Sequence, residues 1–141
     1  MSDPSVVLFL CTGNSARSLL AEAILNRIGP PRFRAHSAGS HPKGIVHPEA
    51  LRLLASLGYD TSRLRSKSWD EFSAGIAFDW IITVCSEAAA EACPVIPGKP
   101  ARIHWDIPNP TSVGESQGQT AAAFRHVYDM LSERIAFLVR R

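Results

Sequence analysis

Two short, continuously apolar runs constrain the fold more than any other feature of the sequence. They span residues 5–10 (SVVLFL) and 80–84 (WIITV). Runs of this length and composition are typical of strands that are buried on both faces, as in a parallel sheet. We therefore predict a parallel sheet that is covered by other elements on both sides.

The rest of the chain alternates helical patterns with weaker strand patterns. Apolar residues at helical spacing predict helices over 18–28 and from 121 to the end, and a proline near the first turn with Gly58 as the stop predicts one over 48–57. Local patterns predict shorter elements: strands at 32–36 and 102–105, a short capped helix at 68–72, one or two helical turns at 86–92 and a loop at 109–120. This alternation indicates one α/β domain over residues 1–141.

Composition and charge argue against several classes of function. The chain has 141 residues, of which 45% are hydrophobic and 20% are charged, as in ordinary globular domains. Its net charge of +2 is too small to indicate a nucleic-acid or anionic-membrane partner, and no apolar stretch reaches a membrane span of about 18 residues. The N-terminus, MSDPS, lacks the pattern of a signal peptide, so we expect a cytoplasmic protein with reduced thiols.

Thiol and polar side chains follow three of the predicted strands. Cys11 comes directly after the first strand, Cys85 after the strand at 80–84, and Asp106 and Asn109 after the strand at 102–105. Ligands of open parallel sheets bind beyond the carboxyl ends of the strands. We therefore expect these groups to converge on one edge of the sheet.

The loop that begins at Cys11, CTGNSARS, has the composition of an oxyanion-binding loop. Gly13 and Asn14 adopt left-handed conformations most readily, which lets the backbone N–H groups turn inward at a helix N-terminus. Arg17 adds a planar fork that matches two oxygens of phosphate or arsenate. The same positive field favours the thiolate of Cys11, which can then attack the central atom of the anion. The predicted oxyanion-binding residues are Thr12, Gly13, Asn14, Ser15, Ala16, Arg17 and Ser18.

This loop resembles the Cys-x5-Arg-Ser loop of the low-molecular-weight protein tyrosine phosphatase family, and its CTGNS opening is similar to that of the arsenate reductases of that fold. The likeness extends through AHSAGSHP (35–42), LRSKSWDEF (64–72), ITVCSEAAAEACPVIPG (82–98) and HWDIPNP (104–110). It implies a three-layer α/β fold with a four-stranded parallel sheet flanked by helices. It also implies an oxidoreductase, an arsenate reductase of the kind that gives arsenic resistance.

The resemblance further implies a thiol–disulfide cascade. Cys11 forms an adduct with arsenate, Cys85 attacks Cys11 to release arsenite and leave a redox-active disulfide, and a third thiol reduces that disulfide. The third thiol is Cys93 or an external one, and the implied electron donor is thioredoxin or glutathione with glutaredoxin, without a bound cofactor. No metal site is predicted, because the cysteines lack paired zinc-ligand spacing.

The residue before Pro110 keeps two alternatives open. The phosphatases of the family have an Asp there that protonates the leaving oxygen, whereas this chain has Asn109, and Asp106 is the nearest substitute. The missing acid counts modestly against a hydrolase of phosphotyrosine. The alternatives are a low-molecular-weight protein tyrosine phosphatase and a non-catalytic oxyanion-binding or redox-sensing domain. The resemblance also suggests that Ser37 supports the anion loop.

Overall fold

Four parallel strands form the centre of the part of the chain that the structure describes. The structure is a computed structural model, and it describes residues 3–72, 74–85, 99–112 and 116–140. The strands are β1 (Ser5–Cys11), β2 (Phe33–Gly39), β3 (Trp80–Thr83) and β4 (Ala101–His104), and they lie side by side in the order β2-β1-β3-β4. The predicted four-stranded parallel sheet is therefore confirmed.

The strand order places a crevice between the ends of β1 and β3. From β1 the chain crosses to β2 on one side, whereas from β3 it continues to β4 on the other side. In open parallel sheets the connections diverge at such a point and leave room for a ligand beyond the carboxyl ends. Cys11 is the last residue of β1, paired in register with Gly39 of β2. Cys85 lies two residues beyond the end of β3.

Three helices in the described residues flank the sheet. They are α1 (Arg17–Ile28), α2 (Pro48–Ser56) and α3 (Gln117–Val139), with short 3₁₀ turns at Trp69–Phe72 and Pro110–Ser112. None of these helices is both long and apolar enough to cross a membrane. The predicted helical turns at 86–92 lie outside the described residues.

Two predicted boundaries differ from the structure by three or four residues. The strand β2 continues to Gly39 instead of ending at residue 36, because its last residues pair with the end of β1. The helix α3 begins at Gln117 instead of 121, because Ser116 and Gln119 form a capping box in which each side chain accepts the other residue's backbone N–H.

The residues of β1 alternate between two apolar clusters. Val7, Phe9 and Cys11 belong to the larger cluster, with residues of α1 and α3 such as Leu20, Ile24, Phe124 and Leu131. Leu8 and Leu10 belong to a second cluster with Phe72 and Phe78. Because both faces of β1 are covered, its continuous apolar run is explained by burial on both sides.

Candidate active site

Residues 11–18 run from the last residue of β1 to the first turn of α1, and Asn14 shapes the turn of this loop. The φ of Asn14 is 45°, in the left-handed region that Asn tolerates better than most residues. Its side chain is fully buried, and Nδ2 donates to the hydroxyls of Ser18 at 2.7 Å and Ser37 at 3.1 Å. Its Oδ1 accepts the backbone N–H of Lys67 at 2.9 Å. Asn14 therefore supports the loop from behind.

The carbonyl oxygens of the loop are bonded from outside by the segment 41–47. Three amides of that segment donate to three loop carbonyls over 2.8–2.9 Å: His41 to Thr12, Lys43 to Gly13 and His47 to Ser15. Gly39 permits a close approach of β2 to the loop, since a Cβ there would lie 2.5 Å from the Thr12 carbonyl oxygen. With these carbonyls turned outward, the backbone N–H groups of Ser18 and Asn14 donate inward to the sulfur of Cys11.

Cys11 lies at the floor of the loop and is only 4% exposed. A hydrogen bond from the Cys85 side chain contributes most to lowering the pKa of Cys11, which falls from 9.0 to about 5. Burial acts in the opposite direction, and the hydroxyl of Ser18, 3.2 Å from the sulfur, lowers the pKa further together with the two loop amides. Cys11 is therefore a thiolate at neutral pH, as a nucleophile requires.

Cys85 is buried beside Cys11, and the two are not joined in a disulfide. Its sulfur accepts the backbone N–H of Thr12 at 3.2 Å and lies 3.5 Å from the Thr12 hydroxyl. Thr12 immediately follows Cys11, so the end of β1 fixes the positions of both sulfurs. The structure thus brings together the two thiols that follow β1 and β3. Cys93 lies outside the described residues.

A small cavity of about 140 Å³ opens above the Cys11 sulfur. Its described lining residues are Cys11, Gly13, Ser15, Ala16, Arg17, Lys43, Asn109 and Thr111. Its volume suits a tetrahedral oxyanion rather than a large substrate. Two larger depressions, of about 670 and 570 Å³, lie elsewhere on the surface and have no cysteine among their described lining residues. The chemistry of the side chains, and not the size of the depression, identifies the candidate site.

Two residues that follow β4 take part in this arrangement. The carbonyl of Ile107 accepts a hydrogen bond of 3.0 Å from Arg17 Nη1, which orients the guanidinium. Asn109 lines the cavity, and its Oδ1 accepts the N–H and the hydroxyl of Thr111 at 3.0 and 2.7 Å. Asp106 is exposed and is not among the described lining residues, and its role as a substitute acid stays a prediction.

A buried ion pair stands behind the loop. Ser37, fully buried, donates a short hydrogen bond to Glu22, and the ammonium of Lys67 lies 3.7 Å from the same carboxylate. Burial raises the pKa of Glu22 and lowers the pKa of Lys67, because each side chain is less well solvated than in water. Hydrogen bonds connect this pair through Ser37 and Asn14 to Ser18, which touches Cys11.

Sequence reasoning missed Lys43, Thr111 and Lys67. Lys43 reaches the cavity only because the segment 41–47 packs on the loop, and no periodic pattern in the sequence indicates such packing. Thr111 carried a usable signal, since an Asn often accepts the N–H of the residue two positions later. The described residues contain no group of three or more His, Cys, Asp or Glu side chains that could hold a metal ion.

The model of the low molecular weight phosphotyrosine protein phosphatase family matches residues 6–141. The chain belongs to this family. A curated relative, the arsenate reductase of Halalkalibacterium halodurans, is 34% identical over 130 residues, which cover 92% of this chain and 91% of the relative.

This chain shares its fold with solved structures of arsenate reductases. One from Archaeoglobus fulgidus is 33% identical, with a TM-score of 0.74, and the match covers 96% of this chain and 99% of that one. A thioredoxin-dependent arsenate reductase from Corynebacterium glutamicum is 26% identical, with a TM-score of 0.71, and covers 99% of this chain and 62% of that one. The predicted resemblance to the arsenate reductases of the phosphatase family is confirmed.

Proposed function

We propose that this chain is an arsenate reductase that uses two of its own thiols to reduce arsenate to arsenite. The observation that carries the proposal is the burial of Cys85 next to the candidate nucleophile: its sulfur accepts the backbone N–H of Thr12, the residue after Cys11, at 3.2 Å. A phosphatase needs one thiolate, whereas reduction of arsenate by two electrons needs two thiols. The names of the relatives support the same activity.

The first step is binding and attack. The loop amides and Arg17 hold the oxyanion above Cys11, whose low pKa provides the thiolate. The sulfur attacks arsenic, the bond from arsenic to one hydroxyl breaks, and that hydroxyl leaves as water with a proton from the other hydroxyl of arsenate. This gives an adduct with a Cys11 S–As bond, in which arsenic is still pentavalent.

The second step is the transfer of electrons from sulfur to arsenic. The Cys85 thiolate attacks the Cys11 sulfur, an S–S bond forms, and the electron pair of the S–As bond stays on arsenic. Arsenic is reduced to the trivalent state and leaves as arsenite, while the two thiols are oxidised to one disulfide. The hydrogen bond of 3.2 Å from the Thr12 N–H to the Cys85 sulfur supports this step, because it holds the attacking sulfur at the residue that follows Cys11.

A third thiol then regenerates the enzyme. We assign this step to Cys93, which would attack Cys85, release the Cys11 thiolate and leave a Cys85–Cys93 disulfide for thioredoxin to reduce. The thioredoxin-dependent neighbour from Corynebacterium glutamicum supports thioredoxin as the donor. Glutathione with glutaredoxin is the alternative donor, and it would act on the Cys11–Cys85 disulfide without Cys93.

The residues around the cavity favour arsenate over phosphotyrosine. Asn109 cannot give up a proton to an aryl oxygen, and none of the described lining residues is aromatic. Residues 86–98 and 113–115, which the structure does not describe, contain no Phe, Tyr or Trp. A phenyl ring would therefore meet polar side chains, and its leaving oxygen would have no acid at position 109 to protonate it. Arsenate carries its own exchangeable proton and needs neither feature.

Single-cysteine variants with separate electron donors test the proposal. Arsenite production is measured with thioredoxin and its reductase, and separately with glutathione and glutaredoxin. Cys11→Ser is expected to abolish all activity, and Cys85→Ser to remove multiple turnovers while sparing any slow aryl-phosphate hydrolysis. Arsenate reduction by Cys85→Ser at the parental rate would refute the cascade. No arsenite from the parent chain with either donor system would favour a non-catalytic or redox-sensing domain.

A further inference from the structure

The mouth of the cavity carries a cation that the steps above do not use. The lining divides by exposure into a buried floor, made by Cys11, Ser15 and Ala16, and an exposed mouth, made by Lys43, Asn109 and Thr111. Arg17 and Lys43 are the two cationic side chains among the described lining residues, and no carboxylate is among them. The mouth is therefore electropositive and polar.

Lys43 is held on the loop at its backbone and along its stem. Its amide donates to the Gly13 carbonyl at 2.9 Å. A Cβ on Gly13 would lie 3.3–3.5 Å from Cγ, Cδ and Cε of Lys43, so the aliphatic stem runs along the loop backbone. The following residue, Gly44, donates to Ser66 Oγ at 3.1 Å, and that hydroxyl donates to the same Gly13 carbonyl at 3.2 Å. These contacts keep the ammonium near the opening.

The direction of attack decides which oxygen faces this ammonium. A nucleophile and its leaving oxygen lie roughly in line across the central atom of a tetrahedral oxyanion. Because Cys11 attacks from the floor, the leaving oxygen points toward the mouth. In free arsenate or phosphate this atom is an anionic or protonated oxygen. In an aryl phosphate it is the ester oxygen that carries the ring.

Resting on the oxyanion site of the proposed function, we propose that Lys43 binds the mouth-facing oxygen of a free tetrahedral oxyanion and selects it against aryl phosphate esters. An ammonium gains an ion pair and a hydrogen bond from a free oxygen. An ester oxygen is a poorer partner, and its ring would displace the water around Lys43 without gaining an apolar contact. Lys43 is thus a specificity-determining residue that contacts the substrate.

Protection of Cys11 from alkylation measures this selectivity without requiring catalysis. The reduced full-length chain is treated with iodoacetamide, and modification of Cys11 is followed by peptide mass spectrometry, which separates it from the other two cysteines. Inorganic phosphate and phenyl phosphate are compared as protecting ligands in the parent, in Lys43→Met and in Lys43→Arg. Methionine keeps an unbranched stem on Gly13 and removes the charge, whereas arginine keeps the charge.

In Lys43→Met, the phosphate concentration for half-protection is expected to rise about fivefold, the effect of losing one exposed ion pair. Lys43→Arg is expected to stay within about twofold of the parent, and phenyl phosphate is expected to change by less than about twofold in either variant. Unchanged phosphate protection in Lys43→Met, or an equal loss for both ligands, would overturn the inference. Thermal unfolding verifies that the variants fold, as an exposed position predicts.

The outcome is separable from that of the proposed function. If phosphate protects Cys11 in a Lys43-dependent way but the chain does not reduce arsenate, the proposed function fails and the inference about Lys43 stands. If the chain reduces arsenate while phosphate protects Cys11 in Lys43→Met as well as it does in the parent, only the inference about Lys43 fails.

Discussion

The thiol of Cys85 is expected to control the acidity of Cys11, and its removal tests this directly. The pKa of Cys11 is about 5 instead of 9.0, and the hydrogen bond from Cys85 is the largest cause. A hydrogen bond to a charged group contributes about 1.5–3 kcal/mol, and about 1.36 kcal/mol corresponds to one pKa unit. Cys85→Ala is therefore expected to raise the pKa of Cys11 from about 5 to about 6–7.

The assay is the alkylation rate of Cys11 as a function of pH, in the absence of any oxyanion. Cys85→Ser is the matched control, because its hydroxyl still donates to the thiolate and should keep the midpoint closer to that of the parent. Both variants lack the second thiol and are expected to lose multiple-turnover arsenate reduction. The difference between them in the alkylation assay therefore reports the pKa of Cys11 and not electron transfer. A midpoint near 5 in Cys85→Ala would show that Cys85 does not set the pKa. A midpoint near 9 in the parent would contradict the thiolate itself.

Two further predictions concern the acid position and the buried ion pair. Asn109→Asp is expected to raise aryl-phosphate hydrolysis by about a hundredfold, the typical contribution of a general acid; no gain would mean that position 109 is not the acid site. Lys67→Met is expected to lower the free energy of unfolding by about 3 kcal/mol at pH 7, since it leaves the Glu22 carboxylate buried without its partner. Burial raises the pKa of Glu22, so its charge costs stability only as pH rises through the raised pKa. The loss of unfolding free energy in Lys67→Met should therefore be smaller at pH 4 than at pH 7. Equal losses in urea unfolding at the two pH values would contradict this.

The sequence predicted the elements whose signals are local. The run at 5–10 identified β1, and the CTGNSARS loop located the turn where Asn14 takes its left-handed conformation. Topology alone predicted that Cys11 and Cys85 would meet, because both follow strands of one parallel sheet. The start of α3 also has a local signal, the Ser116-x-x-Gln119 capping box, but the Gly, Ser and Pro content of residues 109–120 favoured a loop.

The remaining features of the site depend on contacts between distant segments. Arg17 is oriented by the Ile107 carbonyl, 90 residues further along the chain. Lys43 reaches the cavity through backbone bonds between the segment 41–47 and the loop. Lys67 is held behind the loop, where its backbone N–H donates to Asn14. Backbone carbonyls and amides have no residue-specific signature, so the sequence could not predict which of them would meet.

The contacts of Cys85 also give the proposed cascade an order. Before arsenate binds, the low pKa of Cys11 makes it the thiolate of the pair, so the proposed cascade assigns the attack on arsenic to Cys11 and not to Cys85. Once the Cys11 sulfur carries arsenic, it loses its charge and accepts the hydrogen bond from Cys85 far less well. The N–H of Thr12 still donates to the Cys85 sulfur and keeps that sulfur in place. The same pair of sulfurs therefore changes roles only after the adduct has formed, which keeps Cys85 from competing with Cys11 for the anion.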